Sequence, residues 1–417
     1  MGAKTRLSVD ERWELVDEIS KQVVLRGKYK HTLKDVLSDL SVRPATGIPF
    51  MIAVLFGFWM FFSAFAGFFT DGLAVPFFDD HYLPALQGAF PGAGPTMAES
   101  NPLYMILVGD PNATNCFEAF GVLTSALFVA FGVVLPAIVA FYLILTILED
   151  CGYLPRLATL ADTVLHKIGL HGFAIVPTIL SLGCNVPAVY GCRVLETKKQ
   201  RFMMMTLLGV FIPCAAQIGV MRELIPQYTG LVLIYLFFGF FAMGALLNKL
   251  ISGRSPEILI DVPPYRSPQR SNVLRKLGLR VRHFLKTAVP FVILGVLVVN
   301  LLYWTGVIDW LSRATEPLFV VWFGVPAATV GALVMAFMRK DMAVGMLGGL
   351  ASAGVLSTGQ LITSVVLVSI YFPCLATFIM IWKEGGTRDL LKSLGVLAAS
   401  FFIFGGLMHG IVALAGV

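Results

Sequence analysis

Apolar stretches long enough to cross a lipid bilayer recur along the chain and are separated by short polar segments. A helix needs roughly 20 apolar residues to cross about 30 Å of hydrocarbon. Only 13% of the residues are charged and 57% are hydrophobic, whereas soluble domains carry about 25% charged residues. A transmembrane β-barrel would show alternating segments of about ten residues instead. The pattern therefore predicts an all-α polytopic membrane protein with about seven spanning helices.

Blocks of basic residues between the apolar runs predict the orientation of the chain. The densest block lies between Lys249 and Lys286, whereas residues 71–115 contain acidic residues and no Lys or Arg. The positive-inside rule places the basic block in the cytoplasm and the acidic loop outside. The net charge of +6 is therefore attributed to topology, and nucleic acid is not an expected partner. The polar first 40 residues show no signal peptide, which favours a cytoplasmic N-terminus and a multi-pass protein of a bacterial or archaeal inner membrane.

The first 43 residues are predicted to form a cytoplasmic amphipathic segment. Ser8 and Glu11 have the spacing of a capping box, which predicts a helix start. Two interpretations stay open, namely a helix that lies on the membrane surface and a docking element for a soluble partner. The apolar residues that recur at helical spacing are Trp13, Val16, Ile19 and Val23.

Two apolar regions are better explained as re-entrant hairpins than as single crossings. Residues 173–192 have basic residues on both sides, and their middle (residues 183–187) reads G-C-N-V-P, which disfavours a continuous helix. Residues 317–352 have a similar outline, with Arg339-Lys340-Asp341 between two apolar limbs. The sequence F-I-P-C-A-A at 211–216 is echoed by Y-F-P-C-L-A at 371–376. Because each copy follows a hairpin and the copies have opposite predicted orientation, we expect an inverted repeat with its substrate site at the breaks.

Three cysteines at predicted helix breaks are the candidate metal ligands. Cys184, Cys214 and Cys374 each lie beside a proline-containing break, and a thiolate is a soft ligand suited to transition metals. Asn185, within the first break, is a further candidate ligand. Each cysteine alone is better explained as a small apolar packing residue. Three breaks at repeat-related positions favour a functional role for the set.

Three carboxylates complete the candidate site. Glu149 and Asp150 end the second predicted span, and Asp341 lies in the charged cluster of the second hairpin. Charges within apolar surroundings cost several kcal/mol and therefore suggest function. The alternatives are an ordinary helix boundary for the first two and a loop marker for the third. No P-loop, H-E-x-x-H or C-x-x-C motif is present in the sequence, and we do not expect an enzyme.

Several motifs together resemble the membrane portion of FeoB-type ferrous iron transporters, which is built from two gate repeats. Residues 148–153 (L-E-D-C-G-Y) resemble the family's L-E-D-S-G-Y, and residues 183–188 with Arg193 resemble its G-C-N-V-P-A…R. Residues 261–266 (D-V-P-P-Y-R) and 371–377 (Y-F-P-C-L-A-T) are similar to its E-L-P-P-Y-R and Y-x-P-C-x-A-T. The resemblance covers about residues 10–417.

The chain also departs from the family pattern. The resemblance begins where the family's GTPase domain normally ends, so nucleotide control is expected from a separate soluble GTPase. Residues 213–217 (P-C-A-A-Q) stand where S-C-G-A-R-L-P is usual, and residues 339–341 (R-K-D) where A-K-E is usual.

The resemblance implies uptake of ferrous iron, with Fe2+ as transported substrate and no permanently bound cofactor. Alternatives are a gate-type carrier of a nucleoside or other small organic solute, and a non-transporting membrane scaffold. A homo-oligomer is a further arrangement that the sequence leaves open. The expected divisions are the amphipathic segment (1–43), first span and outer loop (44–115), gate repeat one (116–225), a span with the basic loop (226–286), gate repeat two (287–390) and a C-terminal span (391–417).

Overall fold

A computed structural model describes residues 9–23, 33–90, 101–116, 119, 121–253, 265–338, 340 and 342–416. The regular elements in these ranges are helices, and 5 of them are long and apolar enough to cross a membrane. The number rises to 7 if each of 2 sharply bent apolar helix pairs is one span. The predicted all-α membrane protein with two hairpin-like regions is therefore confirmed.

Two short helices, α1 (Val9–Val23) and α2 (Leu33–Val42), precede the first spanning helix α3 (Pro44–Phe69). Helix α3 begins at Pro44 because proline fits the first turn, where its missing N–H loses no helical bond. The apolar side chains of α1, including Trp13 and Ile19, are exposed. Ser8, half of the expected capping box, lies outside the described residues.

The first spanning helix runs past Thr70, where the sequence predicted an outer loop from Asp71. It continues through π-helical turns at Thr70–Ala74 and Pro76–Tyr82 into α4 (Leu83–Ala89). Prolines occur at the starts of the second π-helical segment and of α4. At a segment start they restrict the backbone without removing an interior hydrogen bond, so the helix continues through a sequence that looks like a loop.

Residues that follow the C-terminal end of α3 pack together as a small cap. Helix α5 (Pro102–Leu107) and π-helical turns at Val122–Ala126 and Phe128–Val134 lead into α6 (Leu135–Asp150). The Thr70 hydroxyl donates to the Gly132 carbonyl at 3.0 Å. The buried core of this cap consists of Leu83, Cys116, Ala119, Phe128 and Val129.

The first broken region comprises α7 (Tyr153–Leu165), α8 (Ile175–Gly183) and α9 (Asn185–Gly191). The chain bends by 102° between Tyr153–Ile168 and Gly172–Gly183. Gly169, at the bend, has φ +77, and a Cβ there would lie 2.2 Å from the Asn248 side-chain oxygen. Only glycine meets both requirements without strain.

A central helix and its neighbours follow, as α10 (Lys198–Phe211), α11 (Ala215–Leu224) and α12 (Thr229–Leu250). The apolar window of Lys198–Leu224 is 72% buried inside the protein, against 11% for the window of the first spanning helix. Helix α10 therefore lies at the core of the bundle, and most of α3 lies on its exposed outer surface.

The second half of the chain repeats the pattern of the first. The pair Arg313–Phe323 and Ala328–Phe337 is bent by 101°, nearly the angle of the first pair. The last helix is kinked at Gly386, whose φ is 78 and ψ 175. The helices of this half are α13 (Arg270–Trp304), α14 (Val307–Leu318), α15 (Ala328–Met338), α16 (Met342–Ser352), α17 (Thr358–Ile370) and α18 (Leu375–Ala415).

Candidate functional site

The three candidate cysteines share one structural position, because each is the residue that precedes the first turn of a helix. Cys184 precedes α9, Cys214 precedes α11 and Cys374 precedes α18, all with extended or near-extended backbone. In each case another helix has just ended, at Gly183, Phe211 or Ile370. Each thiol therefore lies between the carbonyl end of one helix and the N–H end of the next.

Prolines explain why the helices break at these points. The residue before a proline avoids helical conformation, and Ile212, before Pro213, has φ −99 and ψ 107. Pro187 instead lies in the first turn of α9, where a missing N–H is tolerated. The predicted breaks at all three sites are therefore present in the structure.

The breaks of the two repeats converge. The three thiols are close enough for a charge on any one of them to act on another. A Cβ on Gly209 of α10 would lie 3.7 Å from the Pro373 ring, so the central helix packs directly against the second break. Tertiary packing thus brings together cysteines that are far apart in sequence.

Gln217 joins the two Pro-Cys breaks. Its Oε1 accepts from the Cys214 backbone N–H at 2.8 Å, and its Nε2 donates to the Ser369 carbonyl at 2.8 Å. The side chain is buried, at 2% exposure. In the sequence, Gln217 differs from the arginine of the usual motif, and this difference alone did not predict a role for it. A glutamine three residues after a helix-capping position is the signal that would have indicated this role.

Lys340 is a second residue of the site that was not among the predicted ligands. Its ammonium donates to the same Ser369 carbonyl at 3.2 Å and is 4% exposed. It lies between α15 and α16, in the cluster predicted to be charged within apolar surroundings. Its neighbour Asp341, a candidate ligand, lies outside the described residues.

Polar contacts also fix the side chains next to two of the cysteines. Asn185 is buried and accepts a hydrogen bond from the Ser181 hydroxyl. Cys374 Sγ lies 3.2 Å from the Thr377 hydroxyl. A cavity of about 20 Å³ adjoins Cys184 and is lined by Phe62, Ala137, Ile138, Phe141, Tyr142, Gly183, Cys184 and Pro187.

The candidate carboxylates Glu149 and Asp150 lie at the end of α6, paired with basic residues of α13. Lys276 Nζ is 2.6 Å from Asp150 and 3.2 Å from Glu149, and Arg280 Nη2 is 2.6 Å from Glu149. The hydrogen bond to Asp150 raises the pKa of Lys276. In the structure these carboxylates therefore hold α6 against α13.

No group of three or more His, Cys, Asp and Glu side chains is arranged to hold a metal ion together among the residues that the structure describes. A charged cavity of about 590 Å³ lies beside the kink of α18. It is lined by Val189, Cys192, Arg193, Lys198, Arg201, Met205, Glu384, Gly385 and Asp389.

Models of known protein families match most of the two bent, gate-like regions of the chain. The Gate model, described as "Nucleoside recognition", matches residues 131–228 and 285–388. The FeoB_C model, described as "Ferrous iron transport protein B C terminus", matches residues 230–280. Together they cover both bent helix pairs, all three cysteine breaks and the segment between the repeats.

Curated relatives point to the same family. The Fe(2+) transporter FeoB of Methanocaldococcus jannaschii is 27% identical over 91% of this chain and 59% of its own length. That of Synechocystis sp. is 26% identical over 88% of the chain and 60% of its length. The Fe(2+) transport protein A/Fe(2+) transporter FeoB fusion protein of Porphyromonas gingivalis is 31% identical over 40% of the chain and 21% of its own length.

The chain spans at most 60% of the length of these relatives. No solved structure matches significantly. The two gate regions, the FeoB_C segment between them and relatives that align along nearly the whole chain lead to one conclusion: the chain corresponds to the membrane portion of FeoB.

Proposed function

We propose that the chain carries a divalent transition metal ion, and specifically ferrous iron, across the membrane. The observation that carries the proposal is the position of Cys184, Cys214 and Cys374, each at a helix break and each within electrostatic range of another. In this proposal the three thiols bind Fe2+ transiently as it crosses, and carbonyl oxygens at the ends of the preceding helices are additional ligands.

The local chemistry of a break suits a transported cation. Thiolates bind transition metals more strongly than they bind Na+ or K+, and the partial positive charge of a helix N-terminus stabilises an anionic ligand. Unwound carbonyls supply oxygen ligands without an added charge. Conduction requires binding that is strong enough for the ion to enter and weak enough for it to leave. Several incomplete binding sites in succession meet both requirements.

Asn185 and the carboxylates are assigned supporting roles in this proposal. Asn185 orients the first break through its bond with Ser181. Glu149 and Asp150 would attract the cation at one mouth of the path, where they must exchange Lys276 and Arg280 for the ion. Asp341 is proposed to act beside Lys340.

A carrier of nucleosides is the second candidate function, because the Gate model is described as "Nucleoside recognition". A nucleoside needs a pocket of a few hundred Å³ with several polar side chains. The cavity beside Cys184 measures about 20 Å³, roughly the room for one water molecule or ion. At Cys184 this size favours the metal ion, whereas the charged cavity of about 590 Å³ beside the kink of α18 is large enough for a nucleoside.

The decisive experiment is uptake into proteoliposomes across a panel of divalent ions, with nucleosides as competitors. We expect Fe2+ uptake that Mn2+ or Co2+ reduces and that nucleosides leave unchanged. Nucleoside uptake without metal uptake would establish the second candidate. Vesicles that take up neither would support a non-transporting scaffold.

The orientation is proposed from charge, with the basic segment inside. Single cysteines at Ser267 and Asn112 should be labelled from opposite sides of the membrane, in a background where the native thiols are blocked first. Labelling of both from one side would overturn the proposed orientation.

We also propose a soluble GTPase as partner. Helix α1 exposes Trp13, Val16 and Ile19, and apolar side chains at helical spacing suit a groove on another protein. A pull-down with a purified GTPase domain, with and without residues 1–43, tests the contact. Equal capture by both forms would place the contact elsewhere, and capture by neither would refute the partner.

A further inference from the structure

Lys340 carries a charge into the interior of the protein, where a charge is costly. Its side chain is 4% exposed, and an ammonium moved out of water loses several kcal/mol of hydration unless other groups replace that hydration. A buried lysine within a membrane protein is therefore a functional candidate. The residues that surround it indicate what the function is.

The hydrogen-bond acceptor of the ammonium is a helix-end carbonyl at the second Pro-Cys break. Ser369 lies in the last turn of α17, and its carbonyl accepts from Lys340 Nζ at 3.2 Å. The same carbonyl accepts from Gln217 Nε2 at 2.8 Å. One donor comes from each repeat, so this oxygen lies where the two repeats meet.

Two thiols share this environment. The Lys340 ammonium lies within electrostatic range of Cys214 and Cys374. A cation thus bonds a carbonyl at the end of a helix, and two thiols lie close enough to act on its charge. That is the set of donor groups by which unwound helices in transporters bind cations, with the thiols added.

We propose that the Lys340 ammonium is a tethered cation that occupies an ion position in the closed state, and that a metal ion passes only by displacing it. This inference rests on the proposed function. The side chain has a flexible four-carbon stem, so the ammonium can leave the carbonyl while the Lys340 backbone stays in place.

The proposal explains how such a path excludes monovalent ions. Na+ and K+ are hard ions that gain little from thiols, so they do not displace an ammonium that is already bonded. A divalent transition metal gains from both thiols and from its larger charge. Lys340 thereby becomes a specificity-determining residue.

Lys340→Met tests the inference because methionine keeps an unbranched side chain and removes the charge. In vesicles without Fe2+, we expect the K+ leak to rise at least roughly tenfold over the wild-type leak, since an ion position is left vacant. Lys340→Arg keeps a cation, so its K+ leak should stay at the wild-type level. Ser364→Ala is the matched control, because it lies on the same helix and removes a hydroxyl that bonds the Gln360 carbonyl.

A Lys340→Met protein that folds and whose K+ leak equals that of the wild type would overturn the proposal. Should that variant fail to fold, amine labelling of the wild-type protein decides. We expect slow labelling of Lys340 without metal and at least severalfold faster labelling with Mn2+, with exposed Lys249 as internal standard. Unchanged or slower labelling would reject displacement. The K+ leak needs no iron, so it is read separately from failure of wild-type Fe2+ uptake, which would refute the function itself.

Discussion

Arg193 and Glu384 form an ion pair between the two repeats, with Arg193 Nε 2.6 Å from Glu384 Oε2. Arg193 follows the first broken hairpin, and Glu384 lies two residues before the kink at Gly386. A second contact joins Nη2 to Oε1 at 2.8 Å, which makes the pair bidentate. Bidentate pairs fix geometry as well as charge, so this pair ties the first break to the turn of α18.

Loss of this pair should loosen the coupling between the repeats. Arg193→Gln and Glu384→Gln are each expected to lower Fe2+ uptake a few-fold, whereas the charge exchange Arg193→Glu with Glu384→Arg should recover part of it. The effect on stability should be small because the arginine side chain is 57% exposed. Uptake measured for the wild type, the two glutamine variants and the variant with both glutamines gives the interaction as a double-mutant cycle. Strictly additive losses without recovery would show that the two residues act independently.

The thiols at the breaks should be needed for transport and dispensable for folding. Cys184→Ser and Cys374→Ser are expected to lower Fe2+ uptake by roughly tenfold, the size of effect seen when a metal site is perturbed, because a hydroxyl is a harder and weaker ligand. Cys151→Ser is the matched control, since its thiol bonds the Leu148 carbonyl, as a hydroxyl also can. Full uptake by the double variant would remove these two thiols from the mechanism.

Gln217 should contribute to stability through its two buried bonds. Gln217→Leu leaves the Cys214 N–H without its acceptor and removes one donor to the Ser369 carbonyl. Burial of an unsatisfied polar group costs about 1–3 kcal/mol, and thermal unfolding in detergent should show that loss. Gln217→Glu keeps the acceptor for Cys214, so it separates the two bonds. An unchanged unfolding temperature for the leucine variant would contradict this account.

Tyr265 should anchor the segment before α13 to α7. The Arg156 guanidinium lies 3.6 Å from the centre of the Tyr265 ring, and the Tyr265 hydroxyl donates to Ser41 at 3.0 Å. Tyr265→Leu removes both contacts and should lower the free energy of unfolding by about 2 kcal/mol, whereas Tyr265→Phe keeps the ring and should lose about 1 kcal/mol. Equal losses would assign the whole effect to the hydroxyl. The measurement is denaturant unfolding of the three proteins.

Cys116 should react slowly with thiol reagents. Burial, with a smaller contribution from the neighbouring Asp79 carboxylate, raises the pKa of its thiol from 9.0 to about 12. The thiol therefore stays protonated at pH 7–10, and alkylation should accelerate only as the pH approaches 12. Because the folded pKa is the higher one, this group's stabilising contribution is complete below pH 9 and is lost as the pH rises toward 12. Asp79→Asn should speed alkylation, and fast alkylation of the wild type at pH 8 would contradict the burial.

Hydropathy and proline positions determined much of the fold in advance. Apolar length predicted the spans, and Pro213 and Pro373 predicted helix ends because proline restricts the residue before it. The same local effects placed Cys184, Cys214 and Cys374 at breaks. The expected loop after Thr70 was the weak point, since Pro76 and Pro84 at segment starts allow a helix to continue.

Only the tertiary structure decided which polar groups meet. The Ser369 carbonyl receives Gln217 from one repeat and Lys340 from the other, although 152 and 29 residues separate these donors from it. Glu149 and Asp150 likewise pair with Lys276 and Arg280 of a distant helix. Local sequence sets backbone conformation, because sterics act between neighbours. The partners of a buried charge depend on how helices pack, because every helix in the bundle contributes to the environment of that charge.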